Sequence, residues 1–417
     1  MEVTTLIRYQ KIEHCRVSGD KNLISVLHLG EQALTGVFPA SKTDIVTTAP
    51  LELVWCPTSG LLQLNHSCDF NEMYGDNYGY RSGLNHSMIA HLRQKTLYLE
   101  QLTQLKAGDA VLDIGSNDGT LLKAYSNPNI QRIGIDPTGK KFASYYTKEI
   151  KLIPDYFSAA NYHSATNQPA KIVTSIAMFY DLESPIHFAR EVESILADDG
   201  IWHFEQSYMP SMIQLNAYDT ICHEHLEYYS LSVIKKILDA AELKPVKISL
   251  NNINGGSFAI TATKIHNHSI KPDLTLINWF LEEEERMGFS TIKPYHDFQH
   301  RVFEHRDKLK KLIHLLIADG KRILGYGAST KGNVLLQLCG LTTAEIPAIA
   351  EVNEDKFGRL TPGTHIPIIS DKEARAMKPD YFLVLPWHFK EGILRKEQEY
   401  LTHGGKFIFP FPVIEII

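Results

Sequence analysis

No stretch of this 417-residue chain reaches the roughly 18 apolar residues that a membrane-spanning helix needs, and Met1–Gln10 lacks the apolar core of a signal peptide. The chain is expected to stay in the cytoplasm, away from membranes. Cysteine is scarce: Cys15, Cys56, Cys68, Cys222 and Cys339 are odd in number and scattered, which argues against a disulfide framework. Positive charge is also short, with 42 Lys and Arg against 48 Asp and Glu for a formal net charge of −6. That balance disfavours a nucleic-acid surface and leaves a small molecule as the expected partner of a monomer or homodimer. With 44% hydrophobic and 22% charged residues the chain has a globular composition, and its length suggests three domains at roughly 150 residues each.

The N-terminal motifs are marked by what is missing. Cys15-Arg-Val-Ser18 and Cys56-Pro-Thr-Ser59 have C-x-x-C spacing with serine where the second thiolate belongs. Zinc takes four good ligands and a hydroxyl is a poor one, so bound zinc is doubtful even with Cys68, His14 or His66 nearby in sequence. Short strand-like runs such as Leu51–Trp55 alternate with turns, giving a small β-rich domain over residues 1–90. Its last segment, Tyr74–Gly83, carries Tyr78 and Tyr80 between glycines, where exposed phenols serve binding more often than packing.

Helical apolar spacing over about 87–105 leads to Ala110-Val-Leu-Asp-Ile114, a short buried strand, and then to the turn Gly115-Ser-Asn-Asp-Gly119 before a helix near Thr120. The next strand, Arg132–Ile135, ends in Asp136, which is placed to accept from ribose hydroxyls. The dinucleotide fingerprint G-x-G-x-x-G is absent, since its middle glycine is missing and Asp113 would repel a pyrophosphate. A cationic nucleoside such as S-adenosylmethionine suits Asp113, Gly115, Asn117, Gly119 and Asp136 better; an ordinary βα turn is the plainer alternative. Further strands at 151–154, 170–174 and 200–204, with a helix over about 186–197, predict a doubly wound, Rossmann-like parallel sheet. Its crevice would be lined by Phe157, Ser175 and Glu205 at the strand ends.

The densest chemistry is Asp219-Thr-Ile-Cys-His-Glu-His-Leu-Glu-Tyr-Tyr229. His223, Glu224 and His225 could ligate a metal, form a general acid/base set, or make a polar patch before the helix that Ser230 caps. A zincin pair sits four residues apart on one helical face, so no metal is assigned here. In an extended segment both imidazoles would share one face, with Glu224 on the other. Asn251–Ser257 then reads as a hairpin or as a turn presenting Asn254, Gly255 and Ser257 to substrate. A third domain repeats the strand, glycine turn and helix in Arg322–Gly332, with Tyr326, Ser329 and Lys331 near an expected anionic phosphate and Glu351 ending the next strand.

Together these stretches, with Cys56–Leu64, Tyr78–Tyr80, Leu112–Leu121, Asp219–His225, Asn254–Ser257 and Gly325–Gly332 foremost, resemble the bacterial S-adenosylmethionine-dependent sugar C-methyltransferases that act on nucleotide-linked 4-keto-deoxysugars. The resemblance implies an α/β chain of three parts: a zinc-binding-like domain at 1–90, a methyltransferase domain at 91–268, and a helical connector with a Rossmann-like nucleotide-sugar domain at 269–417. It implies His225 as the base beside a ketone, Glu224 or His223 orienting it or handling the oxygen, and Tyr78 and Tyr80 closing over the site. Departures from the family are Ser18 and Ser59 in the knuckles, Cys222 where a Tyr is common, and the segment Ser175–Glu183 in place of an Asn- and His-containing loop. O-methylation of a sugar or related small molecule is the alternative.

Overall fold

The computed structural model describes residues 8–73 and 80–417. Near the N-terminus β1 (Tyr9–Lys11) pairs with β5 (His66–Cys68), while β2 (Ile24–Ala33), β3 (Thr48–Trp55) and β4 (Leu62–Leu64) form an antiparallel meander. Period-two alternation buries Ala49, Leu51 and Leu53 along one face of β3, as a half-covered sheet requires. The short helix α1 (Phe70–Met73) follows.

The central sheet begins after α2 (His86–Thr103), whose N-terminus is capped by Asn85 accepting from the Ser87 N–H. β6 (Ala110–Ile114) is buried at every position, as expected of a strand covered on both faces. It is followed by α3 (Thr120–Lys123), β7 (Gln131–Ile135), α4 (Gly139–Phe142), β8 (Ile150–Ile153), α5 (Ala159–Ala165), β9 (Ala170–Ile176), α6 (Pro185–Ile195), β10 (Leu196–Ser207) and α7 (Met209–Gln214). After β11 (Glu227–Tyr228) and α8 (Leu231–Ala240), the sheet is completed by β12 (Leu243–Asn251) and β13 (Ser257–Lys264) in the order β12-β13-β10-β9-β6-β7-β8. The expected parallel sheet is corrected at one edge: β13 runs antiparallel to both neighbours. The connection through Asn252–Gly256 is too short for a crossover helix, so only a hairpin is possible.

Two helices, α9 (Leu274–Arg286) and α10 (Lys293–Ala318), lead to a second α/β unit. It contains β14 (Ile323–Tyr326), α11 (Thr330–Cys339), β15 (Ile349–Glu351), β16 (Ile368–Ser370), α12 (Asp371–Ala376), β17 (Tyr381–Val384), β18 (Lys406–Phe409) and β19 (Glu415–Ile416). Its sheet order is β16-β15-β14-β17-β18-β19, parallel except for the last strand.

The three units interpenetrate. β11, from the middle of the chain, adds to the edge of β4, with Glu227 opposite Gln63 and Tyr228 opposite Leu62. A single apolar cluster joins Leu53, Tyr218, Val302 and Leu324, one from each successive part of the chain. Arg16 fastens the same seam, donating to the Leu64 carbonyl at 2.8 Å, to Ser67 Oγ at 2.8 Å and to Glu183 at 3.1 Å, with buried Glu227 at 3.9 Å. No helix among the described residues is long and apolar enough to cross a membrane.

Candidate active site

The carboxyl end of β6 turns through Gly115, Asn117 and Gly119, all with positive φ, at 72°, 50° and 71°. Left-handed backbone favours glycine and is tolerated by asparagine, which explains the composition of the turn. Asp136 fixes it from the end of β7. Its Oδ2 accepts from the Asn117 N–H at 2.7 Å, and Oδ1 accepts from the Thr138 N–H and hydroxyl, both at 2.6 Å. Three of about four acceptor sites are thus filled from within the chain. Asp113 accepts from Thr174 Oγ1 at 2.6 Å. Burial nonetheless pushes its carboxyl up to about 7, and the negative charge of Asp136 adds to the rise. Among the described residues neither carboxylate has a Lys or Arg partner, so the pair fits a ligand that is itself cationic.

The approach from the N-terminal side is ordered by the same turn. Asn117 donates to the Tyr80 carbonyl at 3.1 Å and accepts from the Ser82 N–H at 3.0 Å, while Asp118 accepts from the Gly83 N–H at 3.0 Å. Tyr80 is therefore anchored by its backbone beside the glycine turn with its side chain exposed. Tyr78 lies outside the described residues.

The loop after β9 joins this turn to the His-Glu-His stretch. A Cβ added at Gly115 would lie 3.1 Å from the Met178 side chain, so the loop packs on the turn. Two residues on, the Tyr180 ring sits 4.2 Å from that of His225, and the Tyr180 carbonyl accepts from the Leu226 and Glu227 N–H groups at 2.8 and 3.1 Å. Ala177 enters the loop at φ 54°, a strained setting for a residue with a Cβ.

The expected extended conformation of His223-Glu224-His225 is corrected. The His225 N–H bonds back to the Cys222 carbonyl at 3.1 Å, so the segment is a turn whose three side chains diverge. His223 enters the N-terminal sheet and donates to the Ala49 carbonyl at 3.3 Å; burial holds its imidazole down at about 4. Glu224 accepts from Thr35 Oγ1 at 3.2 Å, with its carboxyl raised by burial. Neither orients His225. That is done by Thr220, whose carbonyl lies 2.9 Å from His225 Nδ1. From Tyr218 to Ser230, His225 alone is not fully buried. Burial, reinforced by Lys331, holds its imidazole at about 3, so it is neutral at neutral pH.

Facing His225 is the C-terminal unit. Lys331 donates to the Asn254 carbonyl at 2.7 Å, and Trp387 Nε1 donates to Asp219 Oδ2 at 2.7 Å. A Cβ on Gly255 would meet the Trp387 ring at 3.0 Å, which is why the hairpin tip needs glycine there. Several expected contacts are corrected by the same geometry. Ser329 accepts from the Gly332 N–H and caps α11. Glu351 accepts from the N–H groups of Ala328, Val352 and Asn353 at 2.7 to 2.9 Å, as Asp136 accepts from three donors at the first glycine turn. The Tyr326 hydroxyl donates to Glu397 at 2.8 Å, with its ring against Phe382 and Phe407. Ser257 is buried and donates to the Ile253 carbonyl. Ser175 is fully buried and accepts from Trp202 Nε1 at 3.1 Å, while Phe157 rests on Phe188. Each of these side chains thus has a partner within the chain. Sequence reasoning missed the Thr220 carbonyl beside His225, Tyr180 as the link to the Gly115–Gly119 turn, and the pair Trp387 and His388; only the aromatic run Trp387–Phe389 hinted at the last.

The degenerate knuckles do converge. Cys15 Sγ lies 3.1 Å from Ser59 Oγ, and Ser18 Oγ lies 3.4 Å from Cys56 Sγ, so each serine bonds the thiol of the opposite motif. Two thiols and two hydroxyls are not a zinc donor set, and no group of three or more His, Cys, Asp or Glu able to hold a metal occurs among the described residues.

Three family models match in succession: a putative zinc binding domain at residues 15–74, a methyltransferase domain at 84–248, and a C-methyltransferase C-terminal domain at 252–412. The C-methyltransferase NovU of Streptomyces niveus is 30% identical over 411 residues, covering 97% of each chain. Among solved structures, the plantazolicin methyltransferase BpumL in complex with SAH is 15% identical at a TM-score of 0.33, covering 42% of this chain and 82% of its own. An S-adenosylmethionine-dependent methyltransferase of Clostridium acetobutylicum is 11% identical at a TM-score of 0.33, covering 42% and 92%. With a relative matched along nearly its whole length, this chain belongs to the S-adenosylmethionine-dependent C-methyltransferases.

Proposed function

We propose that the protein methylates the carbon beside the ketone of a nucleotide-linked 4-keto-deoxysugar, with His225 as the base. The observation that carries this reading is the bond between His225 Nδ1 and the Thr220 carbonyl. The carbonyl can only accept, so Nδ1 holds the proton and Nε2 keeps its lone pair. A C–H next to a carbonyl is acidic only where a base meets the carbon and a donor meets the oxygen. When bound, S-adenosylmethionine supplies an electrophilic methyl group. Asp113, Asp136 and the Gly115–Gly119 turn would hold that cation, and the loop from Met178 to Tyr180 ties this turn to His225. Tyr80, held by its carbonyl on Asn117, stands beside the opening.

The test is incubation with labelled S-adenosylmethionine and a panel of nucleoside diphosphate 4-keto-6-deoxyhexoses, followed by assignment of the labelled atom by NMR. Label on a carbon adjacent to the ketone is expected. Label on oxygen, or none from any member, would overturn the reading.

A further inference from the structure

The lysine after the third domain's glycine turn was expected to meet a phosphate at the N-terminus of α11. That helix end is already covered by the N-terminal unit. Asn333 Nδ2, near the first turn, donates to the Thr35 carbonyl at 2.8 Å, and one turn farther along the helix Gln337 exchanges bonds with the Ala33 N–H and carbonyl at 2.8 and 3.2 Å. A Cβ on Gly36 would fall 2.3 Å from Glu224 Oε1 and 3.7 Å from Thr330 Oγ1, so residues 35–36 and the Glu224 carboxylate fill the space before the first turn. Ser329 and Glu351 spend their polar atoms on the backbone, as described above.

Lys331 instead reaches across to the Asn254 carbonyl. It is only partly exposed and makes one hydrogen bond, which leaves two of its three N–H donors for a ligand. Its charge is felt by His225 and His388, and burial lowers its own pKa while Asp219 and Cys222 support the charged form. Around it, Asp219 Oδ1, Thr220 Oγ1 and His388 Nδ1 are buried without a hydrogen-bond partner. Buried polar atoms are rarely left so, and three on residues that neighbour one ammonium make a polar seat for water or a ligand.

Building on the ketone reading above, we propose that Lys331 is a catalytic residue that holds the ketone oxygen of the substrate and stabilises the enolate, and that it is not a phosphate anchor. His225 Nε2 takes the proton from the carbon, the C–H pair becomes the C–C π bond, and the carbonyl π pair moves onto the oxygen held by Lys331. The carbon then bonds to the donated methyl as the carbonyl re-forms, the methyl–sulfur pair stays on sulfur, and the proton leaves His225 for solvent. Proton transfer creates a negative oxygen between two positive groups. Lys331, which disfavours the imidazolium in the empty site, no longer does so once an enolate oxygen lies between them.

Lys331→Met and Lys331→Arg are compared with the wild type on the same panel, with titration of S-adenosylmethionine reporting that each variant is folded. For Lys331→Met the proposal expects kcat to fall about 10²–10³-fold, the loss for one oxyanion donor. It also expects exchange of the α C–H with deuterated solvent to fall in parallel and KM to change little. Lys331→Arg should recover part of kcat. The acid limb of the Lys331→Met profile should move to higher pH as His225 is released. A raised KM with kcat and exchange near wild type identifies a phosphate anchor and overturns the proposal while leaving the ketone reading intact. Wild-type label on oxygen, or none, removes the ketone reading and this role together.

Discussion

His225 Nδ1 lies 2.9 Å from the carbonyl oxygen of Thr220, and no acidic side chain takes that place. The tautomer is set by a main-chain acceptor that is not titratable, so the orientation of the His225 ring is insensitive to pH. His225→Asn should lose activity by about 10²–10⁴-fold, the worth of a positioned general base. It should also lose solvent exchange of the substrate C–H, with S-adenosylmethionine affinity near normal. Retained exchange in the variant, followed by NMR in deuterated buffer, would assign the base elsewhere.

If Asp113 receives the cofactor's positive charge as proposed, binding should depend on pH. Its carboxyl titrates at about 7 in the ligand-free site, and a cation binds the ionised form better. Below that pH each binding event must displace a proton, so affinity should weaken as pH falls, by up to about tenfold per unit. Calorimetry at pH 6 and pH 8 checks this, and Asp113→Asn should flatten the dependence. For the ligand-free fold the sign is reversed. A carboxyl raised above its unfolded value costs stability as pH rises from its ordinary value near 4 to about 7.

The crossed thiol and hydroxyl pairs predict the metal content. Wild-type protein should carry no zinc, or much less than one per chain, by elemental analysis. Ser18→Cys with Ser59→Cys restores four thiolates at positions that already converge, and the double variant should retain about one zinc per chain after dialysis. Stoichiometric zinc in the wild type would refute the reading of these serines.

Arg16 and Glu227 form a buried pair, with side chains 3% and 0% exposed. Arg16→Met strands the carboxylate and should cost about 3–5 kcal/mol in denaturant unfolding. Burial already raises the Glu227 pKa and Arg16 opposes that rise, so losing Arg16 raises it further. The deficit should therefore shrink as pH falls toward the ordinary Glu value of about 4.3, where the folded state keeps its proton. Adding Glu227→Gln should recover part of it at neutral pH.

What could be read without coordinates was local. The turn Gly115–Gly119 and Asp136 at the end of the next strand follow from one strand, one turn and the next strand, and residue density is what directs the proposal to His225. Where side chains point depended on partners far away in sequence. Glu224 is turned by Thr35 and Gly36, Lys331 by Asn254, and Ser175 by Trp202, and no periodicity carries those pairings. The third domain shows the limit most plainly. Its glycine turn has the spacing of a phosphate site, and nothing in that spacing announces that Asn333, on the first turn of the helix, is bonded to the Thr35 carbonyl.

The pairing of β11 with β4 bears on how the chain is made. Leu62 and Gln63 await Tyr228 and Glu227, which are translated long afterwards. At about 5–20 residues per second, the edge of the N-terminal meander stays open on the ribosome for on the order of ten to thirty seconds. During that interval an unpaired strand is available to another nascent chain. Production should therefore favour slow initiation and low density of ribosomes on the message, and a fragment ending before residue 227 should aggregate where the full chain does not.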